Sequence, residues 1–266
     1  MTNSNVSLDD KYSIESGRIF VTGVQALARI PMVQRQRDVL EGLNTAGFIS
    51  GYRGSPVGGF DQQLWRAKKF LEQNHIRFQP GLNEDLAASA IWGSQQTNLH
   101  EGGKYDGVFA IWYGKGPGVD RCGDVFKHGN MSGPAKHGGV LLIAGDDHAA
   151  KSSTVPHQSE YAFMDASIPV LNPAGLQDIV DYGILGFAMS RFSGCWVAFK
   201  TTAENMDSSA SIDVSPDRVK ISLPKFDMPE GGLSIRWPDD WIEQEHRLHQ
   251  YKLNAVRAFA RQNKID

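Results

Sequence analysis

Short apolar runs that stop at glycine or turn residues alternate along this chain with longer stretches of helical period, and that alternation limits the fold more than any other feature. Strands linked by helical crossovers pair in parallel, and runs with little polar alternation read as strands buried on both faces. The pattern predicts a helix over 27–43 with Pro31 near its first turns, a strand over 48–52, a helix over 61–73 and a short strand over 76–79. A helix opened by Glu84 follows, then strands over 108–113 and 139–144, a helix over 176–191 and a last central strand over 195–200. The expected fold class is therefore α/β, an open parallel sheet with helices on both faces. This domain fills residues 16–203, behind a flexible tail over 1–15. Residues 204–266 are expected to form a Ser-, Asp- and Pro-rich connector ending in an exposed helix that leads to a further domain.

Composition removes several classes of function. The hydrophobic share of 41% over 266 residues is enough for a sizeable core. A net charge of -3, with no basic cluster, argues against a nucleic-acid surface. No apolar run is long enough to span a bilayer and the N-terminus has no apolar leader, so a cytoplasmic protein is expected. The two cysteines, Cys122 and Cys195, cannot build a disulfide framework or a cysteine-ligated zinc or iron-sulfur site. Cys195 reads as a buried strand thiol.

Chemistry-bearing residues gather at the joints that follow the strands, the edge at which open α/β sheets bind ligands. Tyr52-Arg53-Gly54-Ser55-Pro56 follows the first strand, and Gly58 and Gly59 turn the chain before Asp61 caps the next helix. Asn83-Glu84-Asp85 places an N-cap and two acidic residues ahead of the small side chains Ala87, Ala88 and Ala90, a pattern that by itself is satisfied by capping. Gly114-Lys115-Gly116-Pro117-Gly118-Val119-Asp120-Arg121 brings two basic residues to the same edge but lacks the spacing of a phosphate loop. Gly145-Asp146-Asp147-His148, with Ser152-Ser153 and His157-Gln158-Ser159-Glu160 beyond it, could suggest a magnesium site continued at Asn172. Asp147 stands where such a motif has glycine, however, and no metal is assigned. The histidines show no ligand spacing, so solvated or capping roles are expected for each.

Taken in order, Tyr52 to Pro56, Asn83 to Asp85, Gly114 to Gly116 and Gly145 to Asp147 with Ser152 and Ser153 resemble the thiamin diphosphate pyrimidine-binding domain of 2-oxoacid:ferredoxin oxidoreductases. The likeness covers about residues 16–203 and is closest to indolepyruvate ferredoxin oxidoreductases of the long fused-chain form. Arg53 and Gly54 depart from the pattern of many relatives, and Arg121 has no secure counterpart.

The resemblance implies that Glu84 activates the cofactor, with Tyr52, Gly54, Asn83, Gly114 and Lys115 around it. Ser55, Arg121, Asp147, Ser152 and Ser153 would then border the substrate. It also implies thiamin diphosphate with magnesium, its diphosphate half held by another domain or subunit, and 4Fe-4S clusters and coenzyme A in the complete enzyme. The implied reaction is oxidative decarboxylation of an aryl 2-oxoacid to its acyl-coenzyme A with electrons passed to ferredoxin, in a homodimer. This chain would be an N-terminal part, unable to act alone. A non-redox thiamin decarboxylase or transferase, or a non-catalytic subunit or binding module of the same fold, shares the features read so far.

Overall fold

All eight residues of Val108–Lys115 are buried, and their side chains divide by parity. Phe109, Ile111 and Tyr113 enter one apolar cluster, whereas Ala110 and Trp112 enter another. Successive strand residues point to opposite faces, so a strand apolar on both sides must be covered on both sides. The computed structural model, which describes residues 6–152 and 155–265, meets that demand with helices on each face of one sheet. In chain order the strands are β1 (Arg18–Thr22), β2 (Ala46–Gly51), β3 (Ile76–Phe78), β4 (Val108–Lys115), β5 (Val140–Asp146), β6 (Val170–Leu171), β7 (Val197–Thr202) and β8 (Ser209–Asp213). Six of them form a parallel sheet in the order β3-β2-β4-β5-β7-β6. The helices Gly23–Leu40 and Leu176–Ser193 contribute their buried residues to the Phe109 side. Glu84–Gln95 and Gly123–Ser132 cover the Trp112 side.

The expected α/β sheet is present, with several local differences. The first long helix begins at Gly23, four residues earlier than expected, because Gln25 Oε1 accepts from the Thr22 amide at 3.0 Å and steadies the first turn. Pro31 therefore lies inside the helix rather than near its start. The helix expected over 61–73 is two, Phe60–Arg66 and Lys68–Gln73, divided at the buried Ala67. β1 and β8 pair antiparallel as a separate ribbon, Arg18 opposite Asp213 through Thr22 opposite Ser209. β8 places one large apolar side chain, Ile212, in the core, and β6 has two residues, so neither carries a readable period.

The chain's end corrects the expectation of an exposed helix. Leu248, Lys252, Ala255 and Phe259 recur at helical spacing and are all buried, and Phe259 meets Phe192 with ring centroids 5.9 Å apart. This stripe docks the helix Leu253–Asn263 against Leu176–Ser193. Beyond residue 203, then, β8 and this helix both pack back onto the expected domain.

Two charged groups lock the helices beneath the sheet. Asp38, fully buried, receives Arg191 in a two-pronged ion pair of 2.6 and 2.9 Å, together with the Thr45 hydroxyl at 2.6 Å and the Gln34 amide at 2.8 Å. Lys252 is buried at the end of Gly123–Ser132, where its Nζ donates to the carbonyls of Asn130 at 3.1 Å and Met131 at 2.7 Å. A cation suits the negative end of a helix dipole. Burial nevertheless dominates and pushes the Lys252 ammonium down to about 8.

The sign of the resulting pH dependence follows from which state holds the proton. Between about 8 and the ordinary lysine value of 10.5, the unfolded chain keeps a proton that the folded chain releases. This group therefore adds to stability as pH rises through that window, with a slope of at most about 1.4 kcal/mol per pH unit. Chemical denaturation of the wild type and Lys252→Met across that range should show the difference moving in favour of wild type. A pH-independent difference would contradict the assignment.

Candidate functional site

The sheet order reverses between β2 and β4, because the chain leaves β2 for β3 on one side and returns from β3 to β4 on the other. Such a switch point opens a crevice at the carboxyl ends of the strands. Around it stand the segment from Tyr52 after β2, the helix starting at Glu84 after β3, the helix Gly116–Arg121 after β4, and Asp146 and Asp147 at the end of β5. The Gly81 amide donates to the Gly51 carbonyl at 2.9 Å, which holds the entry to the Glu84 helix against the end of β2.

Local sequence and packing together place Glu84. Asn83 is extended, and its Oδ1 accepts from the Leu86 amide at 2.9 Å, so it caps the helix as expected. The buried Trp112 indole donates to the Glu84 carbonyl at 3.1 Å and ties the first turn to β4. Ala87 and Ala88 have no exposed surface, and small side chains there let the helix lie close to β4. The Glu84 side chain is half-buried against Gly118, and among the described residues its carboxylate takes no hydrogen bond and no ion pair. Asp85 next to it does the local electrostatic work by accepting Arg121 Nε at 2.6 Å.

Behind this point lies a buried network of charge. The Asp147 carboxylate accepts the Lys151 amide at 3.1 Å and the Ser152 amide at 2.8 Å, and Lys115 Nζ lies 3.4 Å away and also donates to the Ser152 carbonyl. Burial alone would raise the Asp147 carboxyl, but these amides and the ammonium outweigh it and hold it below the usual carboxylate range. Asp146 accepts from the Ser159 amide at 2.9 Å and from its hydroxyl, with Lys200 Nζ at 3.8 Å. Lys200 also donates to Glu160. There too burial pushes the carboxyl up and the lysine more than reverses it, so Glu160 sits below its ordinary value. His157 lies between two carboxylates, with Nε2 2.8 Å from Asp120 and Nδ1 3.7 Å from Asp146.

The residues singled out in the sequence thus gather at one edge of the sheet in different states. Tyr52 is 42% exposed and its amide donates to the Tyr113 carbonyl. Ser55 is half-buried, and Gly54 packs on the Lys115 side chain, where a Cβ would come within 2.9 Å. Gly114 lies against the Trp112 indole. Lys115 and Asp147 are spent on each other and on the 151–152 backbone, and Arg121 on Asp85. Ser153 lies outside the described residues.

His157, Asp120, Ser159 and Lys200 also stand in this network, although the sequence reading gave them no place in the site. His157 was expected to be solvated or capping, yet its side chain is 14% exposed. For Lys200 a signal existed, since a lysine in an otherwise apolar strand needs a buried partner. A cleft of about 580 Å³ lined by Gln34, His137, Arg191, Phe192 and Leu233 sits at the opposite, amino-terminal edge and holds none of the gathered residues.

No protein-family model and no curated protein matches the chain. Among solved structures, 131 chains match. One is the 2-oxoglutarate:ferredoxin oxidoreductase from Magnetococcus marinus with 2-oxoglutarate, coenzyme A and succinyl-CoA bound, which aligns with a TM-score of 0.58 and 14% sequence identity. The alignment covers 91% of this chain and 46% of that one, so this chain spans about half the length of the oxidoreductase it matches. At that identity the likeness shows the fold, a six-stranded parallel sheet flanked by helices.

Proposed function

We propose that this chain supplies the pyrimidine-binding half of a thiamin diphosphate-dependent 2-oxoacid:ferredoxin oxidoreductase. The observation that carries the reading is Glu84, a half-buried carboxylate at the carboxyl edge of the sheet, beside the switch point, with no partner among the described residues. Capping accounts for Asn83 and ion pairing for Asp85, and neither accounts for Glu84. A half-buried carboxylate that opens on the crevice and has no partner among the described residues suits a ligand that brings a donor. A protonated ring nitrogen is such a donor.

In this reading the Glu84 carboxylate faces N1′ of the aminopyrimidine and holds the proton at that nitrogen. Thiamin diphosphate, when bound, supplies the carbon nucleophile needed to decarboxylate a 2-oxoacid. A charge-assisted hydrogen bond of this kind is worth about 1.5 to 3 kcal/mol. Tyr52, Gly54, Asn83 and Gly114 border the cofactor, and Ser55 and Ser152, with Ser153, border the substrate. The Lys115–Asp147 pair shapes the loop that carries Ser152 by holding its backbone, and Arg121 acts by fixing Asp85.

The diphosphate and its magnesium fall to a second domain or subunit, as do the 4Fe-4S clusters and the coenzyme A and ferredoxin contacts. The oxidoreductase with the matching fold binds 2-oxoglutarate and coenzyme A, which supports a 2-oxoacid and coenzyme A chemistry here. The substrate we assign is an aryl 2-oxoacid such as indolepyruvate, in a homodimeric enzyme of the cytoplasm. Among the described residues no helix is long and apolar enough to cross a membrane.

The complete protein should bind thiamin diphosphate in the presence of magnesium. It should also reduce ferredoxin in a reaction that needs both coenzyme A and an aryl 2-oxoacid. Failure to bind thiamin diphosphate would remove the reading, whereas binding with turnover that ignores ferredoxin would leave a non-redox thiamin enzyme.

A further inference from the structure

Glycine recurs three times in Gly114-Lys115-Gly116-Pro117-Gly118, and the helix Gly116–Arg121 contains two of the three. Glycine weakens a helix. Gly118 is buried and its φ is not in the left-handed region, so its backbone conformation does not call for glycine. What calls for it is Glu84. A Cβ on residue 118 would stand 2.6 Å from Glu84 Cγ, 2.9 Å from Oε1 and 3.1 Å from Cδ. The first distance is shorter than two carbons tolerate, and Cγ is the middle of the side chain rather than its free end.

Neither backbone can simply back away, so the Glu84 side chain must turn instead. The Glu84 carbonyl is held by the Trp112 indole, and Asp85 is bonded to Arg121 at the end of the glycine helix. On its other side, that helix is pinned by His157, whose ring lies where a Gly116 Cβ would be and whose Nε2 is 2.8 Å from Asp120. Val119, within the same turn, is fully buried.

From this we infer that Gly118 is a positioning residue, whose bare Cα forms the wall that sets the direction of the Glu84 side chain. The inference rests on the proposed role of Glu84 toward the pyrimidine.

Three variants of the complete enzyme test it: Gly118→Ala, Glu84→Gln and the two combined. Gly118→Ala should lower kcat at least tenfold with KM changed by less than about threefold, because the substrate contacts stay in place. Residues that act through one group are not additive, so the double variant should be no slower than Glu84→Gln alone. Thiamin diphosphate affinity, read by quenching of tryptophan fluorescence, should fall by the same factor in all three. A crystal structure of Gly118→Ala should show the Glu84 carboxylate turned away.

Unchanged kcat in Gly118→Ala, or losses that multiply in the double variant, would overturn the inference. Full turnover in Glu84→Gln would instead overturn the reading beneath it. If Gly118→Ala does not fold, Gly118→Ala combined with Glu84→Ala, which removes the clashing Cγ, must fold as Glu84→Ala does. A double variant that also fails would show that Gly118 serves some other contact, and the inference would fall.

Discussion

Glu84→Gln in the complete enzyme should lower turnover by at least about a hundredfold while leaving the fold intact. The magnitude follows from what the carboxylate is asked to do. Proton-transfer assistance from a positioned side chain contributes about 10²- to 10⁴-fold, and the amide keeps the shape of the carboxylate but not its charge. The structural cost is small because the Glu84 carboxylate makes no hydrogen bond or ion pair among the described residues, and the carbonyl that Trp112 holds is unchanged by the substitution. Asn83 remains as the cap, and Asp85 remains as the acidic residue of the first turn. Loss of one charge near the helix N-terminus is worth about 0.3 to 1 kcal/mol. Turnover and thermal midpoint, measured on the same preparation, should therefore part company. Equal loss of both would mean that Glu84 holds the fold, and retention of both would mean that it crowns a helix and nothing more.

Asp38→Ala should do the reverse and unfold the chain more readily without touching the proposed site. Asp38 is fully buried beneath the sheet and accepts four hydrogen bonds, from Arg191 twice, Thr45 and Gln34. Removing the carboxylate strands the Arg191 guanidinium, whose side chain is 15% exposed, with its Nη1 unpaired. Breaking one side of a buried ion pair costs about 3 to 5 kcal/mol. For a domain of this size, that corresponds to a fall in thermal midpoint on the order of 10 °C. Replacing both partners, as in Asp38→Ala with Arg191→Met, should recover part of the loss because no charge is then left stranded. Thermal unfolding of the three variants decides it. A single-variant loss under 1 kcal/mol would show that the pair contributes no more than an exposed one.

Much of the fold was legible because its signals are local. The strand expected over 108–113 continues to Lys115 as the fully buried β4, and that expected over 139–144 runs from Val140 to Asp146 as β5. Asn83 and Glu84 stand where capping chemistry puts them. The misses have local reasons as well. β6 is too short to have a period, and β8 is mostly polar because one face of its ribbon lies in solvent. The last helix was legible in its stripe of Leu248, Lys252, Ala255 and Phe259, but the lysine disguised it. Its ammonium is satisfied by the carbonyl ends of another helix, which a reading of residue types alone does not anticipate.

The sequence by itself determined which stretches become strands and helices, that the sheet is parallel and covered on both faces, and that an acidic residue opens a helix of small side chains at its carboxyl edge. Those properties depend on neighbours within a few positions along the chain. Tertiary structure alone decided that Gly118 meets Glu84, that His157 stands between Asp120 and Asp146, and that Asp38 finds Arg191 across 153 positions. Each of these pairings is set by which strand lies next to which and by how closely two helices approach, and no spacing along the chain records those distances.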